Sequence, residues 1–339
     1  MFFDYELPPD LIAQSPAAER DAARLLVVDR SGDQLVHHHV RDLPELLRPG
    51  DRLVFNDTKV IPARLVGQRI RTGGQWECLY LRTNEAGDWE CLAKTRGYPA
   101  IGESFASDTG LTLSLVGRTP DRHWQLRPDR PGSADELLSR FGQIPLPPYI
   151  RKGREGEGDR DRYQTVYADR PGSVAAPTAG LHFTPALLER LAQVGVTASR
   201  VTLHVGLGTF ASVEVDDPLT HAIHAEWCEV NPATVAEIQQ TRKQGGRVIA
   251  VGTTTVRTLE SAARDGELRP FRGETDLYVH PPFTFRAIDG MMTNFHLPRT
   301  TLLLMVQALA GSDRLCEAYA EAIRERYRFY SYGDAMLIV

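Results

Sequence analysis

The apolar positions of this chain change period along its length, and the changes divide it into parts. Residues 24–29 (RLLVVD) and 51–55 (DRLVF) are short continuous apolar runs, the pattern of buried strands. Residues 34–40 predict a second strand paired to the first through Ser31-Gly32, and a short helix follows from Asp42. From Arg64 to Arg154 helical periodicity nearly vanishes. Alternating runs at 75–82 (QWECLYLR), 88–94 (DWECLAK), 111–116 (LTLSLV) and 123–127 (HWQLR) succeed one another between turn residues, as in an antiparallel sandwich or barrel. The exit is stiff and extended at 144–150 (IPLPPYI), then charged and glycine-rich at 153–161, where a linker or lid is expected.

Beyond that point strands and helices alternate, which indicates α/β architecture. Residues 173–176 and 201–205 predict buried strands. Thr184-Pro185 and Asn231-Pro232 open helices that end at Gly195 and at Gly245-Gly246. A strand at 247–252 (RVIAVG) runs into a helix beginning Thr253-Thr254-Thr255, and 273–279 predicts a further strand. A helix over 299–310 and a final strand over 335–339 complete the pattern. The expected fold is therefore an α/β main domain of residues 1–63 and 151–339, with an all-β antiparallel barrel or sandwich inserted at 64–150.

Composition alters this picture little. The 339 residues are 42% apolar and 24% charged, with net charge −5, so no global attraction to nucleic acid or to an acidic membrane is expected. The charge is unevenly placed, however: residues 64–154 hold 14 Lys/Arg against 10 Asp/Glu, a basic insert on an acidic body. The four cysteines are scattered without zinc spacing or a disulfide framework, which suits a reducing compartment. The start of the chain is acidic where a signal peptide would be basic, and the longest apolar run, 301–310, is too short for a bilayer. A cytoplasmic location, no membrane association and a monomer are expected. His37-His38-His39 tempts a metal reading, but successive strand side chains point to opposite faces, so no metal is expected there.

Chemistry-bearing residues gather at predicted strand ends. Two glycine-rich windows, GSVAAPTAGLHFT and TLHVGLGTF, present Thr178, Gly180, His182 and Phe183, then His204, Gly206, Gly208, Thr209 and Phe210. Strand ends with bare backbone N–H groups are where α/β sheets bind ligands. Asn56-Asp57-Thr58-Lys59 closes another strand, with Arg64 nearby; this is a turn or a ligand loop. Gly252, Thr253 and Thr254 form a helix start suited to a carboxylate, with Arg257 and Glu260 following on one face. No phosphate loop of the GxxxxGK[ST] type is present. Asp276, the TNFHLP loop with Asn294 and His296, and Tyr332 within YRFYSYGD complete the candidates.

In order along the chain, RLLVVD, FNDTKVIPARL, RYQTVYA, GSVAAPTAGLHFT, TLHVGLGTF, HAIHAE, GTTTVRTLES, GETDLYV, TNFHLP and FYSYGDAML closely resemble the S-adenosylmethionine:tRNA ribosyltransferase-isomerase family of queuosine biosynthesis. The resemblance spans nearly the whole chain. It implies a barrel-like α/β body with an inserted β domain, and a reaction in which S-adenosylmethionine (AdoMet) donates its ribosyl group. The acceptor it implies is 7-aminomethyl-7-deazaguanine at the wobble position of tRNA, and the products are epoxyqueuosine-tRNA, adenine and methionine. AdoMet is then a co-substrate, with no tightly bound cofactor and no metal. Two departures stand out: Ile223 where family members tend to carry Met, and Pro281-Pro282-Phe283 where they tend to read Pro-Gly-Tyr.

That chemistry needs a base for a ribose C5′ proton beside the sulfonium, and a group that keeps the aminomethyl nitrogen neutral. Histidine suits both near neutral pH. His182 and His204 are expected in acid/base work or adenine departure, and His224 and Glu226 in proton transfer or cation contact. Asp57, Lys59 and Arg64 are expected to meet the deazaguanine or the anticodon backbone. The Gly252–Thr254 helix start with Arg257 is expected to hold the methionine carboxylate. An ordinary methyltransferase using Gly206-Leu207-Gly208, and a non-catalytic tRNA-binding protein using the β domain, are the alternatives.

Overall fold

The computed structural model describes residues 4–32, 34–206 and 223–339. The chain divides into two compact units, a body of residues 1–59, 147–152 and 161–339 and a smaller unit of residues 60–146 and 153–160. In chain order the first strands are β1 (Arg24–Val28), β2 (Leu35–His39), β3 (Arg52–Asn56), β4 (Thr58–Val60), β5 (Arg64–Arg69), β6 (Gln75–Thr83), β7 (Trp89–Thr95), β8 (Ser104–Ser107), β9 (Thr112–Arg118) and β10 (Trp124–Pro128). They are followed by β11 (Arg170–Ser173), β12 (Thr197–Leu203), β13 (Glu226–Val230), β14 (Val248–Val251), β15 (Phe271–Thr275), β16 (Gly290–Asn294) and β17 (Ala335–Ile338).

The body carries a nine-stranded sheet in the order β15-β13-β12-β3-β14-β16-β17-β1-β2, while β4 and β11 form a separate two-stranded ribbon. At the centre of the sheet β12, β3, β14 and β16 run parallel. Both faces are covered, which is why these strands read as continuous apolar runs. Neighbouring side chains go to opposite cores. Val54, Ala250, Met291 and Met336 face one, with Val235, Leu259, Val306 and Tyr319 from helices. Leu53, Phe55, Ile249, Val251 and Leu337 face the other, with Phe183, Leu187 and Leu191. Thr184 caps the Pro185–Gln193 helix by accepting the Leu187 N–H at 3.1 Å, and Asn231 caps Pro232–Lys243 by accepting that of Thr234 at 2.8 Å.

The smaller unit is a closed barrel, β10-β7-β6-β5-β8-β9, antiparallel at every junction. Alternation builds its core: Leu113 and Leu115 of β9 are fully buried among Trp76, Trp89, Phe105 and Trp124. Buried Arg69 and Glu103 pair through two hydrogen bonds of 2.6 and 2.9 Å.

Several elements differ from the pattern reading. Of the linker or lid expected at 153–161, residues 153–160 belong to the barrel unit and are hydrogen-bonded into it: Glu155 accepts the Ile144 N–H at 2.8 Å and Arg160 donates to the Gly142 carbonyl at 2.6 Å. The helix expected from Arg299 starts at Thr301, because Arg299 sits at φ +58 and Thr300 supplies the cap. The strand expected at 273–279 is β15, ending at Thr275, whose hydroxyl accepts the Leu277 N–H at 3.2 Å and turns the chain. His37 bonds Tyr327 at 2.7 Å and Glu321 at 2.9 Å, and no three metal-ligating side chains converge among the described residues. No helix there is long and apolar enough to cross a membrane.

Candidate active site

The parallel strands β3, β12, β14 and β16 end on one side of the sheet, the side where open α/β sheets place ligands. β14 runs out through Gly252, at φ +90, into the Thr253–Ala262 helix. Only glycine takes that backbone turn without strain. Beside it lies a cavity of about 360 Å³ in the body. Its walls include Thr178 and Ala179 from the Thr178–His182 turn, Gly252, Thr253 and Thr254 at the helix start, and Thr293, Asn294 and His296 at and beyond the end of β16. Tyr149 and Tyr330 complete it, their ring centroids 4.0 Å apart, with the Tyr149 hydroxyl bonded to Ser331 at 2.5 Å.

No Asp, Glu, Lys or Arg side chain lines this cavity among the described residues. Its polarity comes from hydroxyls, amides, a histidine and the N–H groups of a helix first turn, and its apolar area from aromatic rings, prolines and aliphatic side chains. Such a surface suits a small polar ligand with a flat ring, and the helix start favours an anionic group on it.

A buried relay leaves the cavity through Asn294. The Thr178 hydroxyl donates to Asn294 Oδ1 at 2.9 Å, and Asn294 Nδ2 faces His182 Nε2 at 3.2 Å. Because Nδ2 can only donate, His182 Nε2 accepts, which requires a lone pair there. Burial pushes the His182 pKa down to about 4, so the ring is neutral at physiological pH. His296 lines the cavity itself, with Nε2 at 2.8 Å from the Thr293 hydroxyl, and burial also holds its pKa below the ordinary value.

Of the residues expected from sequence, Thr178, Gly252, Thr253, Thr254, Asn294 and His296 line the cavity and His182 stands directly behind it. Asn56 is fully buried and supports the wall: Nδ2 donates to Thr254 Oγ1 at 3.1 Å, and Oδ1 accepts the N–H groups of Thr58 and Leu203. Gly180 makes room rather than touching a guest, since a Cβ there would collide with the Tyr167 hydroxyl. Phe183 is core, packed edge-on to Phe55.

Other candidates are held elsewhere. Buried Glu226 and Arg257 form an ion pair; Glu226 also accepts the Gly206 N–H at 2.8 Å, and Arg257 donates to the Leu277 and Thr275 carbonyls. Here Arg257 is engaged by Glu226 and two carbonyls and does not line the cavity, and Glu226 is engaged as an acceptor. His204 bonds the Thr58 hydroxyl through Nδ1 at 2.8 Å, stacks on Trp227 and packs against Gly172; burial lowers its pKa, with Arg170 adding to the effect. Asp57 accepts from Thr202 at 2.6 Å, and its carboxyl is pushed up by burial. Glu260 accepts the Arg286 and Ala287 backbone N–H groups, so it ties down a loop. Lys59, His224 and Asp276 are exposed, with Asp276 paired to Arg264. Arg64 belongs to the barrel unit and pairs with Glu77 at 2.5 Å. Tyr332 is buried against Tyr163. Gly208, Thr209 and Phe210 lie outside the described residues.

Pattern reading passed over Tyr149, Tyr330, Thr293 and Ser331. Tyr149 follows a proline pair and Tyr330 adopts φ +75, a left-handed conformation that a bulky residue rarely takes. Neither signal separates a lining aromatic from a core one.

A profile of the queuosine biosynthesis protein family matches residues 1–338. Similar proteins named S-adenosylmethionine:tRNA ribosyltransferase-isomerase include one from Symbiobacterium thermophilum, 51% identical over 99% of this chain and 98% of its own length, and one from Stenotrophomonas maltophilia, 50% identical over 99% and 97%. A crystal structure of S-adenosylmethionine tRNA ribosyltransferase from Thermotoga maritima aligns with TM-score 0.58 and 40% identity, covering 99% of both chains. The chain thus belongs to the S-adenosylmethionine:tRNA ribosyltransferase-isomerase family of queuosine biosynthesis.

Proposed function

We propose that this enzyme transfers and isomerises the ribosyl moiety of AdoMet onto 7-aminomethyl-7-deazaguanine in tRNA, and that the cavity beside Gly252 holds AdoMet. The observation that carries the placement is the composition of that cavity: a free helix start and a close, tilted tyrosine pair, with no charged side chain in the described lining. The methionine carboxylate faces the N–H groups of Thr253 and Thr254, where the helix dipole stabilises negative charge. The sulfonium lies against the faces of Tyr149 and Tyr330, which attract a cation without neutralising it as a carboxylate would. That leaves the positive sulfur free to acidify the ribose C5′ protons.

His296 is the neutral imidazole in the cavity wall, and in this reading it is the acceptor for a C5′ proton. Thr178 and Asn294 orient the adenine or ribose by hydrogen bonds. His182 acts through Asn294 as a positioning residue, its lone pair fixing the direction of the amide. This revises the roles of the histidines: His296 moves from binding to proton transfer, and His182 from proton transfer to positioning.

The test is incubation of the protein with AdoMet and tRNA carrying the aminomethyl base. Adenine and methionine released in step with modified tRNA are expected, without S-adenosylhomocysteine. S-adenosylhomocysteine instead, or no adenine, refutes the reading. His296→Ala is expected to keep AdoMet binding while losing about 100-fold or more in turnover, within the usual range for a missing general base.

A further inference from the structure

A second feature of the body lies behind the cavity wall. Residues 14–18 run there without regular structure, and arginines reach their carbonyls from distant parts of the chain. Arg328 donates to the Ser15 carbonyl, and Arg162 to those of Ala17 and Ala18. Arg20 donates to the carbonyls of Leu181 at 3.0 Å and Asp161 at 2.8 Å. Arg20, Arg162, His182 and Tyr332 line one small crevice of about 20 Å³, room for an oxygen-sized guest.

The charge here is answered by carbonyl oxygens rather than carboxylates, as it also is at Arg24, Arg30 and Arg118. Arg52, Arg69, Arg127, Arg247 and Arg257 each pair with a carboxylate. Among the described residues, the guanidiniums of Arg20, Arg162 and Arg328 have no carboxylate within ion-pairing distance and bond only carbonyl oxygens. Asp334 accepts the backbone N–H of Arg328, not its guanidinium. Each guanidinium has five N–H donors. Arg20 uses two, Arg162 two and Arg328 one, and the Arg162 Nε is buried without a partner. Proximity has an electrostatic cost: burial, and then the charge of Arg162, lowers the pKa of Arg20. Carbonyl dipoles hold the arms in place, while Asp161 opposes the charge of Arg20 and Asp334 that of Arg328 only from beyond ion-pairing distance.

Position gives the crevice a meaning. His182 lines it on one side and meets Asn294 of the cavity wall on the other, and Ser331 borders both spaces. A group bound in the crevice would sit one layer of side chains from the transferred ribosyl group. We propose that Arg20 and Arg162 form a phosphate site for the RNA backbone, with the crevice taking one non-bridging oxygen of a phosphodiester that flanks the nucleoside presented to the cavity. The proposal rests on the cavity being the reaction site. A phosphodiester has two non-bridging oxygens, which suit planar guanidinium forks. The carboxylate of AdoMet already has the helix start.

The test uses the full-length protein and a fluorescent anticodon stem-loop. Arg20→Gln and Arg162→Gln are expected to weaken binding about 10-fold at low salt and to reduce the salt slope by about 0.7 to 0.9, the share of one phosphate. Lys variants should recover part of the affinity, and AdoMet affinity should stay within about two-fold. On the RNA side, a neutral methylphosphonate at one flanking phosphate should weaken wild-type binding and add nothing further to Arg162→Gln, as expected for groups in contact. The wild-type half of this arm needs no variant, and is read even if a Gln variant fails to fold. Unchanged salt slopes, fully additive losses, or no effect of methylphosphonate at either flanking position overturns the proposal. Lost AdoMet affinity with unchanged RNA binding would assign the site to the methionine carboxylate and equally overturn it. Wild-type protein that binds the stem-loop but releases no adenine would refute the cavity reading alone.

Discussion

Replacing Glu226 by Gln separates two roles that the sequence left together, proton transfer and structural support. Glu226 and Arg257 are 5% and 6% exposed and form an ion pair, and Arg257 sits on the helix whose first turn lines the cavity. The glutamine amide oxygen could still accept the Gly206 N–H, but the substitution would leave a buried guanidinium without its counter-charge. Breaking a buried pair from one side costs about 3–5 kcal/mol. In a domain of this size each kcal/mol shifts the melting midpoint by about 2–4 °C, so Glu226→Gln should melt about 6–20 °C lower. The double variant Glu226→Gln/Arg257→Met removes the orphaned charge and should recover much of the loss. Thermal unfolding followed by circular dichroism reads both, with adenine release measured where each variant remains folded. If Glu226→Gln melts within about 1 °C of wild type and still loses turnover, Glu226 is a chemical group and the structural reasoning is wrong.

Three further outcomes follow from the same geometry. The His182 pKa is lowered to about 4, so between its unfolded value near 6.5 and about 4 the unfolded chain binds more protons, and stability must fall as pH falls through that window. The contribution is about 3 kcal/mol at most, and urea titrations at stepped pH should show a flatter acid limb for His182→Gln. Tyr330→Ala removes one face of the tyrosine pair and should weaken AdoMet binding about 2- to 30-fold by calorimetry, the span of a cation–π contact; unchanged affinity would remove the sulfonium from that wall. Gly180→Ala would drive a Cβ into the Tyr167 hydroxyl and should destabilise by about 1–3 kcal/mol in urea unfolding, with Tyr167→Phe relieving part of it. No relief would locate the strain elsewhere.

The α/β body, the inserted antiparallel barrel and several helix starts are determined locally, by period and by caps such as Thr184-Pro185 and Asn231-Pro232. Family membership is equally legible, because GSVAAPTAGLHFT and TLHVGLGTF are distinctive strings whatever their contacts. The part played by each side chain is not local. Glu226 and Arg257 are 31 residues apart, and only the packing of β13 against the Thr253–Ala262 helix brings them together as a buried pair. His182 and Asn294 are 112 residues apart, so the tautomer of that ring depends on a neighbour its own motif does not contain. Tyr149 and Tyr330 resemble core aromatics in sequence and become cavity walls only where their segments meet. Periodicity reports which face of an element is buried. Which groups share that burial, and therefore which carboxylate is paired and which imidazole is neutral, depends on contacts between distant segments, and only the tertiary structure determines those.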